Sequence, residues 1–243
     1  MFARDASTYA ANLLAVPPVV INPKSVRAFT NEAAFEAWLS KNHQSATEVW
    51  IKIFKKGSGT PSIDWSQGID VALCWGWIDG IRKSLDEAAF LQRFTPRKGK
   101  SRWSQINRDR VAALTKAGRM TPHGQVHVDA AKKDGRWDAA YPSPKDMELP
   151  ADFVTAVRKN AKAKATLEAL GRQDMFYMAY RLFHAKGERR AALVERLIAD
   201  LTQGPAAVIA ASPRGKAIAA REARAKIAKR PSKRPSKAPR RKA

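Results

Sequence analysis

Tyr141-Pro142-Ser143-Pro144 is the feature that most restricts the fold of this chain. Two prolines in three positions stop a helix or strand that reaches them, and the hydrophobic pattern differs on the two sides. Before the segment, short alternating runs mix with helical stripes. Val49, Ile51 and Ile53 alternate with Trp50, Lys52 and Phe54, which predicts a strand. Ile81 to Leu85 and Phe90 to Arg97 read as two more strands, joined by Asp86-Glu87-Ala88-Ala89. Phe90, Gln92 and Phe94 then share one face, and Leu91, Arg93 and Thr95 the other. Helices are predicted over Glu32 to Lys41, from Ser66 to Trp77, after a Ser104 cap as far as Ala117, and after Thr121-Pro122 to about Lys133.

After the segment the pattern is helical only. Pro150 to Leu170, Gln173 to Ala185 and Glu188 to Thr202 each carry one apolar stripe, separated by Gly171, Gly187 and Gly204-Pro205. Such stripes need a partner, so these helices are expected to pack together or on the preceding domain. The expected architecture is α+β. A small antiparallel sheet packs with helices in residues 25–145, and a helical module follows over 146–203. Residues 1–24 read as a flexible N-terminal extension and 204–243 as a disordered tail rich in Ala, Lys, Arg and Pro. Within that tail Arg-Pro-Ser-Lys occurs twice over residues 230–237. The prolines oppose a helix and the charge opposes collapse.

Charge is placed as unevenly as structure. The chain carries a formal +23. Residues 214–243 hold thirteen Lys/Arg against one acid, Glu222, for +12, and the other 213 residues hold 32 basic and 21 acidic groups, for +11. Lys229, Arg230, Lys233, Arg234, Lys237, Arg240, Arg241 and Lys242 form an acid-free basic run. It is expected to bind nucleic acid or another polyanion with little sequence preference, through counterion release. Anionic lipid is a further candidate partner, and a solubilising tail is the bland alternative.

The densest chemistry lies between Trp75 and Asn107. Arg93, Arg97, Lys98, Lys100 and Arg102 set positive charge beside Trp103, and Ser101, Ser104 and Asn107 add neutral polar groups. Free N–H groups at the start of the Ser104 helix suit a carboxylate or phosphate. Asp79, read as lying in a tight turn, could hold an arginine or orient a polar ligand. One reading joins Trp75, Trp77, Asp79, Arg93, Arg97, Ser101, Trp103, Ser104 and Asn107 around one pocket for a small anionic ligand. The other makes the tryptophans core, Ser104 a plain cap, and Asp79 a structural partner of Arg93 or Arg97.

Other classes find little support. No glycine-rich phosphate loop, dinucleotide fingerprint or Ser-His-Asp order is present, so no cofactor is expected. Catalysis would need Ser101 and Asp79 to serve as nucleophile and base. Of the four histidines only His123 and His127 have a ligand-like spacing, with no partner motif, so no metal site is expected. The single cysteine, Cys74, excludes an internal disulfide and sits in an apolar run as an inert thiol. No stretch is apolar enough to span a membrane, and residues 1–24 make a poor signal peptide. A cytoplasmic location fits.

WGWIDG at 75–80, RFTPR at 93–97, the run Ser101-Arg102-Trp103-Ser104-Gln105-Ile106-Asn107 and Gly118-Arg119-Met120-Thr121 occur in this order. Together they resemble the bacterial YdeI/OmpD-associated (OmdA) family, the bacteriocin-protection proteins. The resemblance covers roughly residues 25 to 203. It implies a cytoplasmic bacterial protein linked to tolerance of bacteriocins or cationic antimicrobial peptides, with a defining helical C-terminal module. The N-terminal extension and the basic tail lie outside it.

Overall fold

The Val49–Phe54 alternation becomes one of the two inner strands of a four-stranded sheet. In the computed structural model, residues 20–212 together with 215, 218 and 219 are described. The strands are β1 (Val26–Arg27), β2 (Val49–Phe54), β3 (Trp77–Ser84) and β4 (Ala89–Pro96), in the order β1-β2-β4-β3. β4 runs antiparallel to both β2 and β3. The α+β architecture holds, with one addition: β1 pairs parallel to β2, so the sheet is mixed. The reason is the connection. Helix α1 (Glu32–Asn42) lies between β1 and β2, and a helical crossover brings a chain back parallel where a tight hairpin cannot.

Val49, Ile51, Ile53 and Phe94 turn one sheet face into the core, where they join Phe35 and Leu39 of α1. Helix α2 (Trp65–Cys74) adds Ile69, Val71, Ala72 and Leu73 to the same core. Asp64, and not a residue at 66, starts α2. Its side chain accepts from the Gln67 amide while the Gln67 side chain accepts from the Asp64 amide, a reciprocal cap that satisfies two end donors.

The helix also stops earlier than its apolar pattern suggests. Gly76 adopts φ +72°, a left-handed conformation that ends a helix at little cost only in glycine. Trp77 therefore opens β3, paired with Pro96, and Asp79 pairs with Phe94 inside the strand and not in a tight turn. The β3–β4 turn is held by Asp86, whose Oδ1 accepts from the Ala88 and Ala89 amides at 2.9 and 2.7 Å.

Helices α3 (Gln105–Lys116) and α4 (Pro122–Lys133) complete the first unit, with caps at Ser104 and Thr121 as expected. Thr121 also locks α4 to the end of α2. Its backbone N–H and its Oγ1 both donate to the Cys74 carbonyl, at 3.2 and 2.6 Å. Cys74 itself is buried, and burial pushes its thiol up to about 11.

The described residues fall into two separate compact units, one up to residue 146 and one from residue 147. Five helices occur among the described residues of the second: α5 (Ala151–Arg158), α6 (Ala161–Ala169), α7 (Arg172–His184), α8 (Gly187–Gln203) and α9 (Pro205–Ala211). Phe153, Val157, Met178, Leu182, Leu197, Leu201 and Val208 form its core. The long helix expected from Pro150 to Leu170 is two. Asn160 interrupts it, accepts from the Ala163 amide to cap α6, and donates to Thr202 of α8 at 3.0 Å. Helix order also runs past residue 203, into the stretch expected to be disordered. Pro205 is favoured at a first helical position, and Val208 is buried in the core. The basic run from Lys229 to Lys242 and residues 1–19 of the N-terminal extension lie outside the described residues.

A Cβ added to Gly124 would overlap the carbonyl oxygens of Leu73 and Cys74. Alanine gains about 1 kcal/mol over glycine in a helix interior, but overpacking a rigid backbone contact costs about 1–3 kcal/mol. Gly124→Ala should therefore lower stability, read as a reduced urea midpoint with unchanged slope.

Candidate anion-binding site around Arg97

Strand β4 ends at Pro96, and the Arg97 amide donates to the Gly76 carbonyl at 2.8 Å. The chain then makes a short loop. Ser101 closes it twice: its amide donates to the Lys98 carbonyl, and its Oγ accepts from the Lys98 amide at 3.0 Å. Trp103 and Ser104 are held from the other side by Tyr141. The Tyr141 amide donates to the Trp103 carbonyl and the Gln105 amide donates to the Tyr141 carbonyl, at 3.1 and 2.8 Å. Ser104 Oγ accepts from the Asn107 amide at 3.2 Å, the cap of α3.

Arg97 sits inside this frame, 4 % exposed. Its guanidinium lies over the Trp103 ring, 3.6 Å from the centroid, a cation–π stack in a desolvated setting. Nη1 donates to the Arg102 carbonyl at 3.0 Å. Nε and Nη2 are buried with no partner, and so is the Trp103 indole N–H. Burial pushes the guanidinium down to about 10, with Arg136 acting the same way and Tyr141 and Asp79 opposing. Arg97 therefore stays charged at neutral pH.

The groups around it carry complementary shifts. Burial raises Asp79 above the usual carboxylate range, and the Trp65 indole N–H, donating to Oδ2 at 3.4 Å, only partly offsets this. Burial lowers His127, and Arg97 and Arg136 lower it further. Arg136 donates from Nη1 to the Ser101 carbonyl at 2.8 Å and from Nε to Asp134. It thereby ties the Lys98–Arg102 loop to the segment after α4.

The nine residues expected around one pocket divide into separate groups. Arg97, Ser101, Trp103 and Ser104 come together, with Asp79 close enough to Arg97 to act on its charge. Asn107 contributes its backbone amide to the Ser104 cap. Trp75 packs instead on His43 and His123, whose rings are 4.0 Å apart. Trp77 is core, edge-on to Trp38 at 5.8 Å. Arg93 faces away from Phe94 and pairs with Glu48 at 2.7 Å. The Asp79–Arg93 bridge does not form, because adjacent strand positions point to opposite faces.

Four partners were not legible from the pattern: His127, Arg136, Trp137 and Tyr141 all reach the site by packing. Trp137 lies edge-on to Trp103 at 4.9 Å, with Arg108 at 5.4 Å and Lys132 at 5.6 Å from its ring. Lys98, Lys100 and Arg102 are exposed on the adjoining loop. Open grooves lie elsewhere. One of about 390 Å³ borders Trp38 and Glu48 in the first unit, and one of about 470 Å³ is lined by Leu149, Val157, Leu167 and Met175 in the second.

A family model matches residues 27–127, from β1 into α4; it is described as a domain of unknown function (DUF8412). No curated protein and no solved structure matches the chain. Among the described residues no group of three or more His, Cys, Asp or Glu side chains could hold a metal ion. No helix among them is long and apolar enough to cross a membrane. Ser101 Oγ accepts from the Lys98 amide, and Asp79 Oδ2 accepts from the Trp65 indole. The arrangement offers positive charge and hydrogen-bond donors, which is the chemistry of holding an anion.

Above its folded-state pKa, ionised Asp79 costs the fold free energy, and protonation removes that cost. Asp79→Asn keeps an acceptor for Trp65 and removes the charge. It should raise the urea midpoint at pH 7, and the gain should vanish as pH falls below the carboxyl's unfolded value. A loss of stability at pH 7 would show that the Asp79–Arg97 attraction outweighs burial.

Proposed function

We propose that this protein acts by binding anions, and that its large-scale partner is nucleic acid or a comparable polyanion in the bacterial cytoplasm. The observation that carries this reading is charge placement: residues 214–243 hold +12 in an otherwise +11 chain. A polycation of that density gains affinity from released counterions whatever the sequence it meets. The exposed Lys98, Lys100 and Arg102, with Arg108 and Lys132 flanking Trp137, support a second point of contact in the folded part. Basic side chains interleaved with an aromatic ring suit phosphates and stacked bases together.

The four motifs that resemble the YdeI/OmpD-associated family attach this binding to tolerance of bacteriocins or cationic antimicrobial peptides. An indirect, regulatory route to tolerance fits the charge. A +23 chain repels cationic peptides, so direct capture of them is disfavoured. A second reading, a small-molecule-binding protein, is favoured by the unpartnered edge of Arg97.

Binding of a short DNA duplex, measured by fluorescence anisotropy across salt concentrations, separates the parts. The full chain should bind with a steep slope, up to about −7 in log K against log salt if all eight tail cations of 229–242 contact phosphate. Residues 1–213 should bind at least tenfold more weakly at low salt, with a shallower slope. Lys98→Glu with Lys100→Glu should weaken what remains. Equal binding by the full and shortened chains would overturn the role of the tail, and no binding by the full chain would overturn the polyanion reading.

A further inference from the structure

We propose that the Nε–Nη2 edge of Arg97 is the anchor of a binding site for a single carboxylate, borne by a small ligand. The inference goes beyond polyanion binding and does not depend on the tail. Two of the three functional sides of this guanidinium have structural employment. Its face stacks on Trp103 and Nη1 donates to the Arg102 carbonyl. The third side, the fork made by Nε–H and Nη2–H, is buried and meets no acceptor.

A structural role does not account for that edge. A buried donor without an acceptor is costly, and a long apolar side chain could support Trp103 without incurring the cost. The free fork has a specific match. Its two parallel N–H groups fit two oxygens on one atom, the bidentate geometry of arginine with carboxylate or phosphate. The indole N–H of Trp103, also unpartnered, is a further donor in the same neighbourhood. Donors in surplus and acceptors in deficit call for a ligand group that only accepts.

The charge balance selects among such groups. Arg136, the second guanidinium acting on Arg97, is paired with Asp134. Asp79 adds one negative charge close by. Arg97 and Arg136 are thus set against Asp79 and Asp134, and the surroundings come close to neutral. Every negative charge on a ligand is added to that balance, so a monoanion costs less to bury there than a doubly charged phosphate.

The edge is closed to solvent, so the ligand enters as the Lys98–Arg102 loop parts from Arg136. Arg136 Nη1 donates to the Ser101 carbonyl and ties the two together.

The test uses the full chain and sodium acetate as probe, with sodium chloride and sodium phosphate at matched ionic strength. The Arg97 Nε–H resonance, identified by its absence in Arg97→Lys, is followed by ¹H–¹⁵N NMR. Acetate is expected to move it saturably over millimolar concentrations, with chloride giving less than a tenth of the shift and phosphate binding at least threefold more weakly. Arg97→Lys, shown to be folded by circular dichroism, should lose the acetate response at neighbouring amides.

If that variant does not fold, the Arg97 Nε–H resonance is assigned through its bonds to the backbone by triple-resonance spectra of the wild-type chain, and its titration decides alone. A response to acetate no larger than that to chloride would overturn the site and mark the fork as the seat of a buried water only. Tighter binding of phosphate would overturn the carboxylate assignment. Failure here leaves the DNA result untouched, and the reverse also holds, since the two assays read different residues.

Discussion

Gly76 is the point on which the first unit depends. A left-handed residue there ends α2 one turn early and releases Trp77 into the edge strand. The absence of a side chain lets α4 approach, since a Cβ at this position would lie 2.5 Å from His127 Cδ2 and 2.7 Å from the His123 carbonyl oxygen. Its own carbonyl takes the Arg97 amide and so fixes where β4 ends. Helix stop, strand start, helix docking and the placement of the buried guanidinium are thus four results of one conformation. No residue with a Cβ could supply all four, because each needs either positive φ or the vacant space.

Around that point the electrostatics are arranged in an unusual order. Salt bridges occupy the half-exposed positions: Glu48 with Arg93, Asp70 with Arg110, Glu32 with Arg119. Among the described residues the most deeply buried arginine, Arg97, has no carboxylate within bonding distance. It is held by an aromatic face and a backbone carbonyl. Isolated burial of charge is expensive, so the fold carries a local deficit at Arg97 which the strong surrounding core must offset. A charged group shifted by burial inside a fold is a candidate for a functional site.

Much of this could be read along the chain wherever the determining groups are neighbours. Ser104 and Thr121 declare their helices because a cap acts within three residues. Asn160 did the same, but its signal was hidden under an apolar stripe that continued across the break. Trp77 was misplaced into α2 for a related reason. Gly76 fits a helical face by composition, and only its positive φ shows that the helix has ended.

The site divides along the same line. Arg97, Ser101, Trp103 and Ser104 lie within eight residues and were legible together. Arg136 and Tyr141 join them across more than thirty residues, and Glu48 reaches Arg93 across 45. No local pattern reports such pairings, because they are decided by which helix face the sheet accepts.

The edges of the sheet carry one more consequence. One border is β1, two residues long. The other is β3, whose register slips between Asp79 and Arg82 and whose outer half carries Arg82 and Lys83. A foreign strand needs a long, straight, uncharged border to zip onto, and neither offers it. On a polyanion of the kind proposed above, molecules of this protein would be brought to high local concentration, where strand-to-strand fusion is the common route to aggregation. The brevity of one border and the kink and charge of the other would keep such neighbours separate.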